Sequence, residues 1–249
     1  MSELSSLDQF LAETTIDSAV LSLRPDYRAV LIAVEGITPG PSDEVSETLL
    51  KRAEESARAA LVQQPVEEIS HVAAWRDAFR SFGAKPQRTR NSLEALLRRA
   101  ATGLPRVNRL TDIYNALSIL HLVPIGGEDL SSYIGSPRLI RATGSEPFEI
   151  LTNGVPATEF PDPGEVVWAD AEGVTCRRWN WRQGRRTQLR DSTTAALFIL
   201  DALEPLSDAA LMHAAEELTR ALVLLGPDVC VAERWLYGTT QPHSGAETL

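Results

Sequence analysis

The spacing of apolar and polar residues divides the chain into a largely helical first half, a strand-rich middle and a closing helix. Helical periodicity predicts helices over residues 42–63, 71–82, 93–101 and 108–120, with Ser42 as a candidate cap of the first and Asn91 or Ser92 as the cap of the third. A run rich in branched residues at 27–34 predicts a strand. The clearest helix is 206–225, with a stripe of leucine and alanine behind Ser207.

Short strand-like segments separated by turn residues follow Gly126. They are predicted at 139–143, 148–151, 165–170, 174–181 and 186–189. The apolar segment 195–203 fits either a buried strand or a buried helix, and its period does not separate the two. Together these elements predict an α+β fold, with mixed or antiparallel sheets flanked by helices, a helical N-terminal part and a closing C-terminal helix.

The composition is that of an ordinary globular protein, with 249 residues of which 43% are hydrophobic and 23% charged. It argues against wholesale disorder, and no apolar stretch is long enough to predict a membrane span. The first residues contain acids and lack a basic segment, which argues against a secretory signal. The two cysteines are far apart in sequence and form no CxxC pattern, which disfavours a disulfide framework and a structural zinc site. We therefore expect a protein of the reducing cytoplasm.

A formal net charge of −10 initially disfavours nucleic acid as a partner. The charge is segregated, however: residues 76–109 contain nine basic and two acidic residues, and residues 177–190 contain six arginines and no acid. Two interpretations remain open. The basic segments form one polyanion-binding face on an acidic protein, or the fold distributes them over several surfaces.

Familiar catalytic signatures are absent: there is no P-loop, no GxGxxG, no HExxH and no GxSxG. None of the four histidines has a partner at metal-ligand spacing along the sequence. We therefore expect neither a metal nor a cofactor.

Two clusters of polar residues are candidates for chemistry. Asn108, Asp112 and Asn115 fall on one face of the helix predicted at 108–120, where short polar side chains are unusual. They form either a buried hydrogen-bond network or the polar wall of a ligand pocket. In the segment 176–183, strand alternation predicts Arg178 and Arg182 on one face and two tryptophans on the other, and arginine beside aromatic residues suits phosphate contact and base stacking.

Several motifs together resemble the B3/B4 family, the tRNA-editing module of the bacterial phenylalanyl-tRNA synthetase β subunit, which also occurs as free-standing proteins. They are a K-P-x-x-x-R segment at 85–90, the run L-P-x-x-N-x-x-x-D-x-Y-N at 104–115, P-x-G-G-x-D-L at 124–130, G-E-V-V at 164–167 and C-R-R-W-N-W-R-Q at 176–183. The resemblance covers residues 76–203.

The resemblance implies a pocket that hydrolyses the ester of an aminoacyl-tRNA, without a metal or a nucleophilic side chain. The carried-over residues that form and order this pocket are Asn108, Asp112 and Asn115, with Glu165 as a candidate acid. Gly126 stands where the synthetase members have a histidine. The residues expected to contact the amino acid or the tRNA are Lys85, Arg88, Arg90, Asn91, Tyr114, Arg178, Trp181 and Arg182.

We expect one domain over residues 1–237, comprising an extension at 1–70, the resembling core and the closing helix, followed by a loose tail at 238–249. The expected function is trans-editing: binding the 3′ end of aminoacyl-tRNA and hydrolysing a mischarged ester. The alternative is an amino-acid-binding or tRNA-binding module without catalysis. A third possibility is a protein-interaction domain with solubilising arginines.

Overall fold

The structure, a computed structural model, describes residues 5–238. In this part of the chain, helices enclose two larger sheets and one hairpin. The helices are α1 (Ser6–Ala12), α2 (Ser18–Leu23), α3 (Glu44–Gln63), α4 (Ser70–Ser81), α5 (Ser92–Ala100), α6 (Arg109–His121) and α7 (Asp208–Val223). The strands are β1 (Thr15–Ile16), β2 (Arg28–Glu35), β3 (Ile125–Asp129), β4 (Arg138–Arg141), β5 (Phe148–Thr152), β6 (Val155–Glu159), β7 (Val166–Ala169), β8 (Val174–Arg177), β9 (Arg182–Gln183), β10 (Ala196–Ala202) and β11 (Cys230–Tyr237).

The central sheet has the order β11-β2-β10-β3 and is antiparallel throughout. A second sheet, β1-β4-β7-β8-β9, is mixed because β1 pairs in parallel with β4. Strands β5 and β6 form the separate hairpin. The α+β class predicted from the sequence, with mixed and antiparallel sheets, is confirmed.

Strand β2 is buried on both faces, which explains its continuous apolar run. Val30, Ile32 and Val34 pack with residues of α6 and α7 in one cluster. Leu31 and its alternating neighbours pack in another cluster, which contains Trp75 and other aromatic side chains. The N-terminal segment therefore contributes a central strand of the main sheet.

Most predicted elements are present with small changes at their ends, and segment 195–203 is the strand β10. Three details were wrong. Asp43, rather than Ser42, caps α3. The strand predicted at 174–181 ends at Arg177, and 186–189 contributes only an isolated bridge at Gln188.

Strand β11 was not predicted. The predicted tail, 238–249, lies outside the described residues except for Gly238. Among residues 5–238, no helix combines the length and the hydropathy that crossing a bilayer requires.

Candidate functional site

The start of α6 is fixed by two residues that the sequence analysis placed in the pocket. Asn108 is the N-cap, and its side chain accepts a hydrogen bond from the Thr111 backbone N–H at 2.9 Å. Asp112 is fully buried and accepts bonds from Ser42 Oγ at 2.5 Å and from the Val107 N–H at 2.9 Å. Their oxygens are thus engaged with the chain around the helix start, and neither residue lines a cavity described below.

One turn further along α6, Tyr114 and Asn115 face a cavity of about 240 Å³. We call this the α6 cavity. It lies between α5, α6 and the strands β3, β8 and β10, and its wall includes Trp181 and Arg182. The Asn115 side chain makes no hydrogen bond to another described residue, so its amide is available to a ligand. Of the predicted site residues, Tyr114, Asn115, Trp181 and Arg182 meet here.

Two buried carboxyl groups stand in the wall of the α6 cavity, Glu128 at the end of β3 and Asp201 in β10. Burial raises the pKa of Glu128 to about 7, although the Tyr133 hydroxyl donates a hydrogen bond to it. Burial likewise raises the pKa of Asp201 to about 7. Both groups therefore exchange protons near neutral pH, as general acids and bases do.

Asp201 is held by Tyr27 and Asn180. The Tyr27 hydroxyl donates to Asp201 Oδ1 at 2.6 Å, and Asn180 Nδ2 donates to Oδ2 at 3.3 Å. Tyr27 in turn packs edge-on against Trp179, with ring centroids 5.0 Å apart. This aromatic support fixes the carboxyl group in one position at the cavity wall.

Several polar atoms around the α6 cavity are buried without a protein partner among the described residues. They are Ser92 Oγ, Asn180 Oδ1 and the indole nitrogens of Trp168 and Trp179. Buried polar atoms are normally paired, so four unpaired ones in the residues around one cavity are unusual.

The segment after β8 is a tight turn, and it corrects the predicted alternation. Arg178 and Trp179 adopt positive φ values of 48° and 67°, which breaks the strand geometry. Trp179 is fully buried, whereas Trp181 lines the cavity with the Arg178 guanidinium 4.7 Å from its ring centroid. The Ser92 N–H donates to the Asn180 carbonyl at 3.0 Å and fastens this turn to the start of α5.

Glu165 lies outside the α6 cavity. Its two oxygens receive a bidentate pair of bonds from Arg177, at 2.8 and 2.7 Å. It lines a separate depression of about 380 Å³ together with Lys85, Arg88 and Arg178. These four predicted site residues therefore lie together, but away from Asn115. An acid fully engaged by arginine is suited to positioning those arginines.

Asn91 and Arg90 line neither the α6 cavity nor this depression. Asn91 caps α5 by accepting a hydrogen bond from the Glu94 N–H at 2.9 Å. The half-exposed Arg90 side chain lies 3.7 Å from the buried Glu94 carboxylate.

Most basic residues of the two positive segments form ion pairs with acids, many of them from elsewhere in the chain. Arg106 contacts Glu47 and Glu54 of α3, and Arg186 contacts Asp170. Within residues 5–238, the members of these segments with no carboxylate inside 4 Å are Lys85, Arg88, Arg99, Arg185 and Arg190. The continuous basic face considered from the sequence is thus reduced to a few free cations.

Gly126, at the position of the family's histidine, lies in the wall of the α6 cavity. A Cβ at this position would approach Gln183 Nε2 to 3.2 Å, and that same nitrogen donates to the Gly127 carbonyl at 2.8 Å. Gly126 therefore leaves room for the Gln183 side chain, which a larger residue at this position would displace.

Four residues of the cavity wall were not predicted from the sequence as site residues: Glu128, Asp201, Ser92 and Asn180. Asp201 carried a usable signal, because it is a single acid inside an otherwise apolar segment. Glu128 lies in a glycine-rich turn sequence that gave no indication of burial.

The comparison with protein-family models agrees with the resemblance. The model of the B3/4 domain matches residues 74–220. A search of curated proteins gives no match. Among solved structures, the chain is similar to an N-terminal fragment of the phenylalanyl-tRNA synthetase β subunit from Pyrococcus horikoshii, with 14% identity and a TM-score of 0.45. That alignment covers 89% of this chain, which spans 53% of the fragment. Because the family model covers more than half of its length, the chain belongs to the B3/4 domain family.

Proposed function

We propose that this protein binds the aminoacylated 3′ end of a tRNA and hydrolyses the amino-acid ester in the α6 cavity. One observation carries the proposal: two carboxyl groups with pKa values of about 7, and the Asn115 amide with no hydrogen bond to another described residue, line a cavity with aromatic walls. The chain belongs to the B3/4 family, and its resemblance to the editing module of that family implies ester hydrolysis on aminoacyl-tRNA. This membership supports the proposal.

The size of the cavity favours an amino-acid group over a larger ligand. Its volume of about 240 Å³ lies just below the ~300–1,000 Å³ of typical small-molecule pockets. The aminoacyl group fits within such a space, while the tRNA has to remain outside. Arg182 and Trp181 stand where the cavity meets the surface: both also line a neighbouring shallow groove with Arg185.

The chemistry requires a positioned water and donors for the developing oxyanion. Glu128 in its ionised form accepts a proton from the water, whose oxygen attacks the ester carbonyl carbon. The C–O bond to the ribose then breaks, and the ribose oxygen leaves with the proton returned by Glu128. The Asn115 amide, which faces the cavity, is the available donor for the carbonyl oxygen.

The RNA contacts follow from the surface beside the cavity. The Trp181 ring offers a face for the terminal base, and Arg182 and Arg185 supply positive charge for the phosphates. Arg185 has no carboxylate within 4 Å among the described residues, which leaves its charge free. Lys85 and Arg88 in the neighbouring depression extend this contact region. A cytoplasmic location is part of this proposal, because its substrate is an aminoacyl-tRNA.

The test is release of amino acid from a panel of aminoacyl-tRNAs, correctly and incorrectly charged. We expect hydrolysis by the native protein of at least one member, and a reduction of about 100-fold or more in Glu128→Gln, the typical contribution of a general base. Glu172→Gln, at an exposed acid, is the matched control and retains the native rate. Equal rates in all three proteins, or no hydrolysis of any member, would refute the catalytic proposal.

A second candidate function, binding of the aminoacyl group without turnover, is favoured by Gly126. The histidine of the synthetase members is missing there, and no imidazole from residues 5–238 lines the α6 cavity. A non-hydrolysable aminoacyl-adenosine analogue that binds while every ester in the panel remains intact would identify this function.

A further inference from the structure

A second cluster of chemically active side chains lies at the other end of α6, apart from the α6 cavity. His121 is the last residue of α6, and His213 and Glu217 lie one turn apart on α7. Residues four positions apart project from the same face of a helix, so the α7 pair points toward His121 together.

The ligand atoms of these three residues all lie within 4.8 Å of one another. His121 Nε2 is 2.7 Å from Glu217 Oε2, and the two imidazole rings meet edge-to-face with centroids 5.1 Å apart. The cluster was not predicted from the sequence, because His121 and His213 are distant along the chain and only the packing of α6 against α7 brings them together.

We propose that His121, His213 and Glu217 bind a divalent zinc ion. Two imidazoles and one carboxylate are a common zinc ligand set, with a water in the fourth position. Bonds of about 2.0–2.2 Å in a tetrahedron place ligand atoms roughly 3.3–3.5 Å apart. To reach this spacing, the side chains have to draw together the atoms that lie up to 4.8 Å apart and to separate the 2.7 Å pair of His121 and Glu217. The exposed side of His213 leaves the fourth position open to solvent.

The electrostatics of the cluster favour a cation. Glu217 contributes a negative charge, and the carbonyl end of α6, where His121 lies, carries the negative pole of the helix dipole. A simple His121–Glu217 ion pair would satisfy the same two residues, but it would make no use of His213. The dependence of binding on His213 therefore separates a zinc site from an ion pair.

A metal here would link the C-terminal end of α6 to α7. Because α6 also carries Tyr114 and Asn115, the link would stabilise the helix that forms one wall of the α6 cavity. The inference does not depend on the proposed function, since zinc binding is measured without any tRNA.

The experiment is calorimetric titration of the full, untagged chain with zinc chloride. We expect one zinc ion per chain and a rise in melting temperature on binding. His213→Ala should weaken binding by about tenfold or more, because it removes one of three ligands. Since His213 is exposed, this variant keeps its fold, which circular dichroism verifies.

The matched control is Glu216→Gln, the exposed neighbour of Glu217, which pairs with Arg220 at 3.8 Å. Its zinc affinity should equal the native value, whereas Glu217→Gln should weaken binding as His213→Ala does. No zinc binding by the native protein, or binding that survives His213→Ala unchanged, would overturn the proposal. The latter result would also arise if zinc bound elsewhere, for example at the exposed Cys230.

Discussion

Replacing Asp201 with asparagine tests whether burial raises the pKa of this carboxyl group in the wall of the α6 cavity. Asp201 is 2% exposed, and burial raises its pKa from 3.8 to about 7. The folded protein therefore binds this proton more tightly than the unfolded chain does. The contribution of this proton to the unfolding free energy is fully present below about pH 4 and is lost as the pH rises to 7.

The magnitude follows from the pKa shift. A difference of about three pH units between the folded and unfolded states corresponds to about 4 kcal/mol of unfolding free energy. Asparagine keeps the shape and accepts the Tyr27 hydrogen bond, and it has no charge to bury. Its Nδ2 group also finds an acceptor in the unpaired Asn180 Oδ1 once the Asn180 amide turns over.

The assay is urea unfolding followed by tryptophan fluorescence at several pH values between 4 and 8. Across this range the native protein should lose about 4 kcal/mol of unfolding free energy that Asp201→Asn does not lose. Burial lowers the pKa of His71 to about 4, so His71 adds stability with rising pH in both proteins, and the difference between the two curves is the test. Glu128 leaves a residual pH dependence in the variant, because its own pKa is raised to about 7. The exposed control Asp191→Asn should follow the native curve. Parallel curves for Asp201→Asn and the native protein would refute the reasoning.

Two further predictions concern the helix start and the RNA contact. Asp112→Ala should lower the unfolding free energy by about 3 kcal/mol in urea titrations. It leaves two donors, Ser42 Oγ and the Val107 N–H, unpaired in the interior. A change below about 0.5 kcal/mol would contradict the role assigned to this carboxylate. Arg182→Ala should reduce the slope of log affinity for tRNA against log salt by about one, while Arg220→Ala on α7 should leave it unchanged. The same slope in both variants and the native protein would exclude a phosphate contact at Arg182.

Local signals were sufficient to predict most helices and the buried strands. α7 follows its leucine stripe and its Ser207 cap, and β2 follows its branched apolar run. The order of the strands in the central sheet could not be predicted from such local signals. Strand β11 pairs with β2 from the opposite end of the chain, and this pairing depends on packing that no local pattern records.

The candidate site was predicted only in part, because local patterns are visible in the sequence and the packing between distant segments is not. Asn115 and Trp181 were expected, because polar residues on a helix face and aromatic residues among arginines are visible in sequence. Asn108 and Asp112 have equally polar side chains, but the beginning of α6 and the loop beside it take up their hydrogen bonds. Sequence shows the side-chain type, and only the fold shows which groups are already paired.

The arginine segments show the limit of charge counting. Arg177 belongs to a segment for which a polyanion-binding face was one of two open interpretations, and it forms a bidentate pair with Glu165 and a second contact with Glu159. Acids that are distant in sequence neutralise much of the basic segments once the chain folds. Only a few cations beside the α6 cavity remain without an acidic partner among the described residues. The net charge of a sequence window does not show which ones they are.

The most direct test of the α6 cavity as the ligand site is the dissociation constant of a non-hydrolysable aminoacyl-adenosine analogue, measured by calorimetry. Asn115→Ala should weaken binding by about tenfold, because it removes an amide that faces the cavity and pairs with no other described residue. Asn153→Gly removes an exposed amide from the β5–β6 turn, where a φ of 53° suits glycine, and should bind like the native protein. Equal affinity in the native protein and both variants would contradict the assignment of the α6 cavity as the ligand site.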